Sequence, residues 1–287
     1  MEFTRRQFLE VAGLGMLSIA GMSTLTACGS SDSGAGSAAA SSDSKVEAIK
    51  SRGTLKAGVK KDVVGYGMLD TATGKYEGME IDLCYQIAAA IFGVSYEDAK
   101  SKELVEFTDV TPKTRGPLID NDTLDIIAAT YTITDERKES WDFSTPYRTD
   151  SVGVLIKKDS GMTTMADLEG KVIGVSQGST TKDLVLQMLK DEGYSFTPEF
   201  SEFPDYPSIK SALDAGNVDA FAMDRSTLRT YTTDDCELLD PDVTFGTQEY
   251  GVATKKGSDL SKVVDDTVVK LDEEGWLEAE YATWGLL

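Results

Sequence analysis

Ala212-Leu213-Asp214-Ala215-Gly216-Asn217-Val218-Asp219-Ala220-Phe221 reads as a helix end, a polar turn, an aspartate and the start of a buried strand. Pro117-Leu118-Ile119-Asp120-Asn121-Asp122-Thr123-Leu124-Asp125-Ile126 has the same order earlier in the chain. A polar cluster follows each strand, Thr130–Thr134 in one case and Asp224–Thr227 in the other. Two readings stay open: helix-turn-strand units resemble one another in any α/β protein, or the chain holds two similar lobes. In the second case each lobe presents polar side chains at the carboxyl ends of its strands, where open α/β sheets bind ligands.

Working outward, apolar runs predict strands at Thr54–Lys60, Leu104–Val110, Asp125–Tyr131, Ser151–Lys157, Lys171–Ser176 and Asp219–Met223. Helical spacing predicts helices at Glu80–Phe92, ending at Gly93, and at Thr180–Glu192, Tyr206–Ala215, Ser258–Glu274 and Trp276–Trp284. Pro112–Asn121 reads as a short helix with proline near its start, and Asp70–Gly74 as a turn. This alternation implies α/β layers around mostly parallel sheets.

The first 28 residues read differently. Arg5 and Arg6 precede an apolar run from Val11 to Ala27, which closes on Leu25-Thr26-Ala27-Cys28. That run holds 17 residues with three glycines, against about 20 strongly apolar residues for a spanning helix. The segment is therefore read as an export signal, of twin-arginine or ordinary type, with a lipidation site at Cys28. Residues 29–52 follow as a Gly/Ser/Ala/Asp-rich tether and a first helix. The expected location is the outer face of a bacterial cytoplasmic membrane, or the periplasm, held by lipid alone.

Composition narrows the chemistry. The net charge is −21, a surface that repels nucleic acid and anionic lipid. Histidine is absent, which removes the commonest general base and metal ligand; a Ser-His-Asp triad is impossible. No cofactor and no metal is expected. Cys84 and Cys236 are read as unpaired thiols, with a disulfide between them the alternative.

VKKDVVGYGMLDTATGKYEGMEIDL (59–83), VTPKTRGPLIDN (110–121), IAATYTITDERK (127–138), FSTPY (143–147), GVSQGSTTK (174–182) and SEFPDYPSIKSALDAGNVDAFAMD (201–224) together resemble a polar amino acid solute-binding protein (family 3) of an ABC importer. Within that family they look most like the aspartate/glutamate-binding subgroup. The resemblance implies an α/β, two-lobed periplasmic-binding-protein-like fold (type II) with two chain crossings. Lobe one would take 53–147 plus 248–287 and lobe two 150–244. It implies a receptor that is not an enzyme, with an amino acid ligand (aspartate or glutamate, then glutamine or asparagine) and ABC permease subunits as partners. A surface adhesin or sensor with the same cleft is the runner-up, followed by a dehydratase of the same fold.

The residues fit that picture individually. Thr130 and Thr132 share one face if the strand runs through Tyr131. Arg137 in the first turn of the next helix adds a planar fork of donors suited to an α-carboxylate. Taken alone, Arg137 reads as readily as a solvated charge beside Glu136 and Glu139; the resemblance assigns it to the ligand. It also assigns Asp224 to the ligand's ammonium, although a lone aspartate there could equally cap a helix. Thr180, in Gln177–Thr181, would meet the carboxylate from the second lobe. Lys60 and Arg115 would face a second carboxylate, because desolvating that group needs local cations. Tyr66 would cover the ligand and Tyr206 donate a hydroxyl. Two departures stand out. Val64-Gly65 precedes Tyr66 where relatives carry proline, implying a looser loop, and Arg148 adds a cation near the lobe crossing.

Overall fold

The computed structural model describes residues 44–286. The export signal, Cys28 and most of the tether lie outside them.

Two separate sheets carry the repeated segments. The first runs Val105–Asp109, Leu55–Val59, Ile126–Ala128, Ala253–Lys255, Trp141–Phe143. The second runs Glu199–Phe203, Val172–Ser176, Ala220–Asp224, Arg148–Lys157, Cys236–Leu238, with Phe245–Tyr250 also paired to Arg148–Lys157. In each sheet the first three strands are parallel and stand in the same order: second, first, third along the chain. The two repeats are therefore one folding unit used twice.

The repeated aspartates explain why the unit recurs. Lys56 N donates to Asp125 Oδ2 at 2.8 Å, and Asp125 N donates to the Lys56 carbonyl at 2.9 Å. Val172 N donates to Asp219 Oδ2 at 2.8 Å, and Asp219 N to the Val172 carbonyl at 2.8 Å. Each aspartate thus satisfies an end of the neighbouring strand, a backbone group that would otherwise be unpaired. The turns before them match as well. Asp122 (φ 58°) and Gly216 (φ 72°) both reverse the chain in the left-handed region, and Leu124 and Val218 are buried behind them.

The sheets are not mostly parallel, as the alternation of elements suggested. Beyond its third strand each sheet continues antiparallel. Arg148–Lys157 enters the second sheet, and Ala253–Lys255 the first, directly from a chain crossing, so no crossover helix forces either of them parallel. Arg148–Lys157 and Phe245–Tyr250 run side by side, with Tyr250 opposite Arg148 and Gln248 opposite Asp150. Their register shifts between Phe245 and Gln248.

The predicted strand Asp125–Tyr131 stops at Ala128, because Thr130 turns into the left-handed region at φ 43°. Short elements were missed altogether: the three-stranded sheet Asp62–Val63, Gly67–Asp70, Lys75–Glu77, and the helix Tyr96–Ser101, while the helix expected to begin at Arg225 runs to Tyr231. Cys84 and Cys236 are buried and unpaired.

That small sheet carries Tyr66, and two glycines press its loop home. Gly65 (φ 86°) lies so close to the chain end that a Cβ would stand 2.8 Å from Leu286 Cδ2. Proline cannot reach that φ, so the glycine departure gives a packed loop and not a loose one. Gly78 (φ 135°) precedes the helix Met79–Phe92, and a Cβ there would stand 2.2 Å from the Tyr66 carbonyl. Gly78→Ala is expected to destabilise the protein by about 1–3 kcal/mol and shift Tyr66. An unchanged midpoint in denaturant unfolding would contradict the contact.

Candidate functional site

Arg115, Thr130, Thr132, Thr180, Tyr206 and Asp224 line one small cavity, with Pro112, Ser179, Thr181 and Met223. The first three come from the first-sheet lobe and the last three from the second. The enclosed space is about 10 Å³, roughly the room of a single water. Lys60, Tyr66 and Arg137 are not in its wall, though each reaches it through a neighbour.

Thr130 and Thr132 converge by a route different from strand alternation. The strand has already ended, and the left-handed turn at Thr130 brings both in, 3 % and 6 % exposed. The turn also aims two carbonyls at Arg115. Its Nη1 donates to Ala129 O at 2.6 Å and Thr130 O at 3.2 Å, and its guanidinium lies 3.7 Å from the Tyr131 ring centre. Arg115 is 2 % exposed, and its Nε has no partner.

Arg137 also stacks on the Tyr131 ring, 4.7 Å from its centre. Thr134 caps the helix Asp135–Ser140 by accepting the Arg137 N–H. This fixes the root of the side chain in the first turn. Its Nη1 donates to Thr132 O at 2.7 Å, and its Nη2 crosses to Gly178 O at 3.1 Å. Burial, and then the nearby Arg115, push Arg137 down to about 10. Among the described residues no carboxylate pairs with either guanidinium. The buried Arg115 and the half-buried Arg137 are thus offset only by carbonyl dipoles and an aromatic ring.

Asp224 closes the cavity from the second sheet and is 3 % exposed. It occupies the N-cap position of Arg225–Tyr231 without a side-chain capping bond, which answers the capping alternative. Oδ2 accepts from the Tyr250 hydroxyl at 2.5 Å, and Oδ1 has no partner. Burial and neighbouring Asp150 raise Asp224 to about 7; the Tyr250 bond and both arginines pull the other way.

Lys60 is already engaged. Its Nζ lies 3.1 Å from Asp62 Oδ1 and 4.3 Å from the Tyr206 ring centre, and it is 1 % exposed. Burial lowers its pKa despite Asp62. Tyr66 is fully buried; its ring packs edge-on against Tyr250, and its hydroxyl meets Ser226 Oγ at 3.1 Å. Thr180 accepts from Gln248 Nε2 at 2.9 Å, so a side chain on the returning strand orients it. Arg148 faces away from the cavity, stacked on Tyr281 and bonded to the Leu286 carbonyl.

Sequence reasoning missed Gln248, Tyr250, Asp150 and Glu80. Tyr250 stands between the two carboxylates, 3.2 Å from Asp150 Oδ2, which also accepts from the Ser226 hydroxyl. No local motif marks these residues, because their partners lie far away in the chain.

Two α/β sheet units joined by paired crossings, with polar side chains from both converging on one small cavity, define a two-lobed binding protein. The chain matches the family of bacterial extracellular solute-binding proteins, family 3, over residues 55–286, and it belongs to that family. It is 31 % identical to the ABC transporter glutamine-binding protein GlnH of Bacillus subtilis, over 96 % of this chain and 97 % of that one. It is 29 % identical to the glutamate-binding protein GluB of Corynebacterium glutamicum, over 88 % and 82 %. Among solved structures, AbpA from Streptococcus pneumoniae bound to L-arginine superposes with a TM-score of 0.69 at 27 % identity, over 83 % of this chain and 96 % of that one. This chain is accordingly an extracellular solute-binding protein of that family and not an enzyme, which removes the dehydratase alternative.

Proposed function

We propose that the cleft binds an acidic amino acid, glutamate or aspartate, and that the closed, loaded protein presents it to a permease. The observation that carries this is the charge inventory in and beside the cavity: the buried Arg115 and the half-buried Arg137, neither with a carboxylate partner among the described residues, and one buried carboxylate, Asp224, with an unpaired oxygen. A ligand with two carboxylates and one ammonium is the complement. Arg137, Thr130, Thr132 and Thr180 take the α-carboxylate, Asp224 takes the ammonium, and Arg115 takes the side-chain carboxylate. Lys60 adds positive potential through Tyr206 but is largely committed to Asp62. Tyr66 and Tyr206 close over the apolar edge. The names of the relatives span glutamine and glutamate, and the unpaired arginines favour the acid.

The cavity is too small for an amino acid as it stands, so lobes or side chains move on entry. Lobe one takes 53–147 with 248–287 and lobe two 150–244, hinged at the two crossing strands. A ligand held by both lobes shifts the hinge by its differential affinity for the closed form. Cys28 carries the lipid that holds the protein at the membrane.

Arg115→Ala separates acid from amide. Calorimetry is expected to show glutamate affinity falling by about tenfold or more beyond any loss for glutamine. Equal losses for both would remove Arg115 from the side-chain pocket.

A further inference from the structure

We propose that Glu80 is a positioning residue for the cleft, holding the turn that builds it and tying that turn to the lobe crossing. This rests on the reading of the cleft as an amino acid site. Glu80 stands in the first turn of Met79–Phe92 and is fully buried, outside the cavity wall. Its Oε1 accepts the Thr130 N–H at 2.6 Å and also the Tyr147 hydroxyl. Burial raises its pKa.

The Thr130 bond matters because of the backbone it holds. A β-branched residue at φ 43° is a rare conformation, kept only where the surroundings over-determine it. The same turn sends the Ala129 and Thr130 carbonyls to Arg115. Without Glu80, Thr130 relaxes towards extended backbone, both carbonyls swing off the guanidinium, and Arg115 loses its aim. The second bond reaches the hinge. Tyr147 directly precedes the crossing strand Arg148–Lys157, and its N–H donates to the Tyr250 carbonyl at 2.9 Å. Tyr250 in turn donates to Asp224. One carboxylate oxygen therefore links the turn that aims Arg115 to the strand pair that carries the ammonium acceptor.

The test compares wild type, Glu80→Ala, Glu80→Gln and Glu80→Asp by calorimetric titration with L-glutamate, thermal unfolding and amide exchange at residues 129–132. A glutamine carbonyl accepts both bonds, so Glu80→Gln is expected to bind within about threefold of wild type. Glu80→Ala is expected to lose about tenfold or more, with faster exchange at Thr130. Should Glu80→Ala fail to fold, Glu80→Asp, one methylene short of Thr130, is expected to weaken binding where Glu80→Gln does not. Wild-type affinity in Glu80→Ala with only a lowered melting temperature overturns the proposal, as does Glu80→Gln binding as poorly as Glu80→Ala. If wild type takes up no L-glutamate, the functional reading fails on its own. Exchange at Thr130, accelerated or not in Glu80→Ala or Glu80→Asp, still decides the role of Glu80.

Discussion

Arg137→Ala is expected to lower affinity for every α-amino acid by at least about a hundredfold, because removing one partner of a buried charge pair costs about 3–5 kcal/mol. The side chain sits between the lobes, bonded to Thr132 on one side and Gly178 on the other. Burial first, and then the neighbouring Arg115, lower its pKa to about 10, and among the described residues no carboxylate pairs with it. An α-carboxylate supplies the missing anion and meets a planar, two-pronged donor. The loss should be equal for glutamate, aspartate and glutamine, since all three present the same group. Near-normal calorimetric binding would rule out the assigned role, and a loss confined to acidic ligands would move Arg137 to the side-chain pocket.

Asp224→Asn is expected to cost on the order of a hundredfold as well, and wild-type binding should carry the signature of this carboxyl in its pH dependence. Its pKa is about 7, raised from 3.8 chiefly by burial and then by Asp150. The ligand ammonium needs the anion. Below about pH 7 the proton must leave first, so affinity falls with acidification, approaching tenfold per pH unit, and levels off above it. The stability of the unliganded protein runs the opposite way. A group whose pKa is raised on folding favours the folded state most below its unfolded value, near 3.8, and that contribution is lost as pH rises through about 7. Titrations in buffers of different ionisation enthalpy would count the released proton. A flat affinity profile from about pH 5 to 8, or one unchanged in Asp224→Asn, would contradict the assignment.

The parts of this site that were legible in the sequence are those whose signal is local. Asp125 and Asp219 stand where a helix-turn-strand unit needs an acceptor for its neighbour strand, and the repeat could be read before its bonds were seen. Arg137 sits at a fixed distance from a cap, and Asp224 follows a buried strand. The illegible parts are non-local. An apolar run such as Ile126–Tyr131 gives no hint that Thr130 leaves the strand; a carboxylate fifty positions earlier turns it. Gln248 and Tyr250 lie on a strand whose pattern says little, and they matter because Arg148–Lys157 runs beside it. The half-antiparallel sheets have the same origin. The chain crossings bring in Arg148–Lys157 and Ala253–Lys255 against strands far away in the chain, and no window of sequence contains both partners.

The most direct test of the central claim is calorimetry on the purified protein, stripped of ligand by unfolding and refolding. It would be titrated with L-glutamate, L-aspartate, L-glutamine and glutarate, the last having both carboxylates but no ammonium. The expected result is binding of the two acids at micromolar strength, about −8 kcal/mol, with glutamine weaker and glutarate failing to bind. Glutarate binding as tightly as glutamate, or no heat from any of the three amino acids, would contradict a cleft built around two unpaired arginines and one carboxylate.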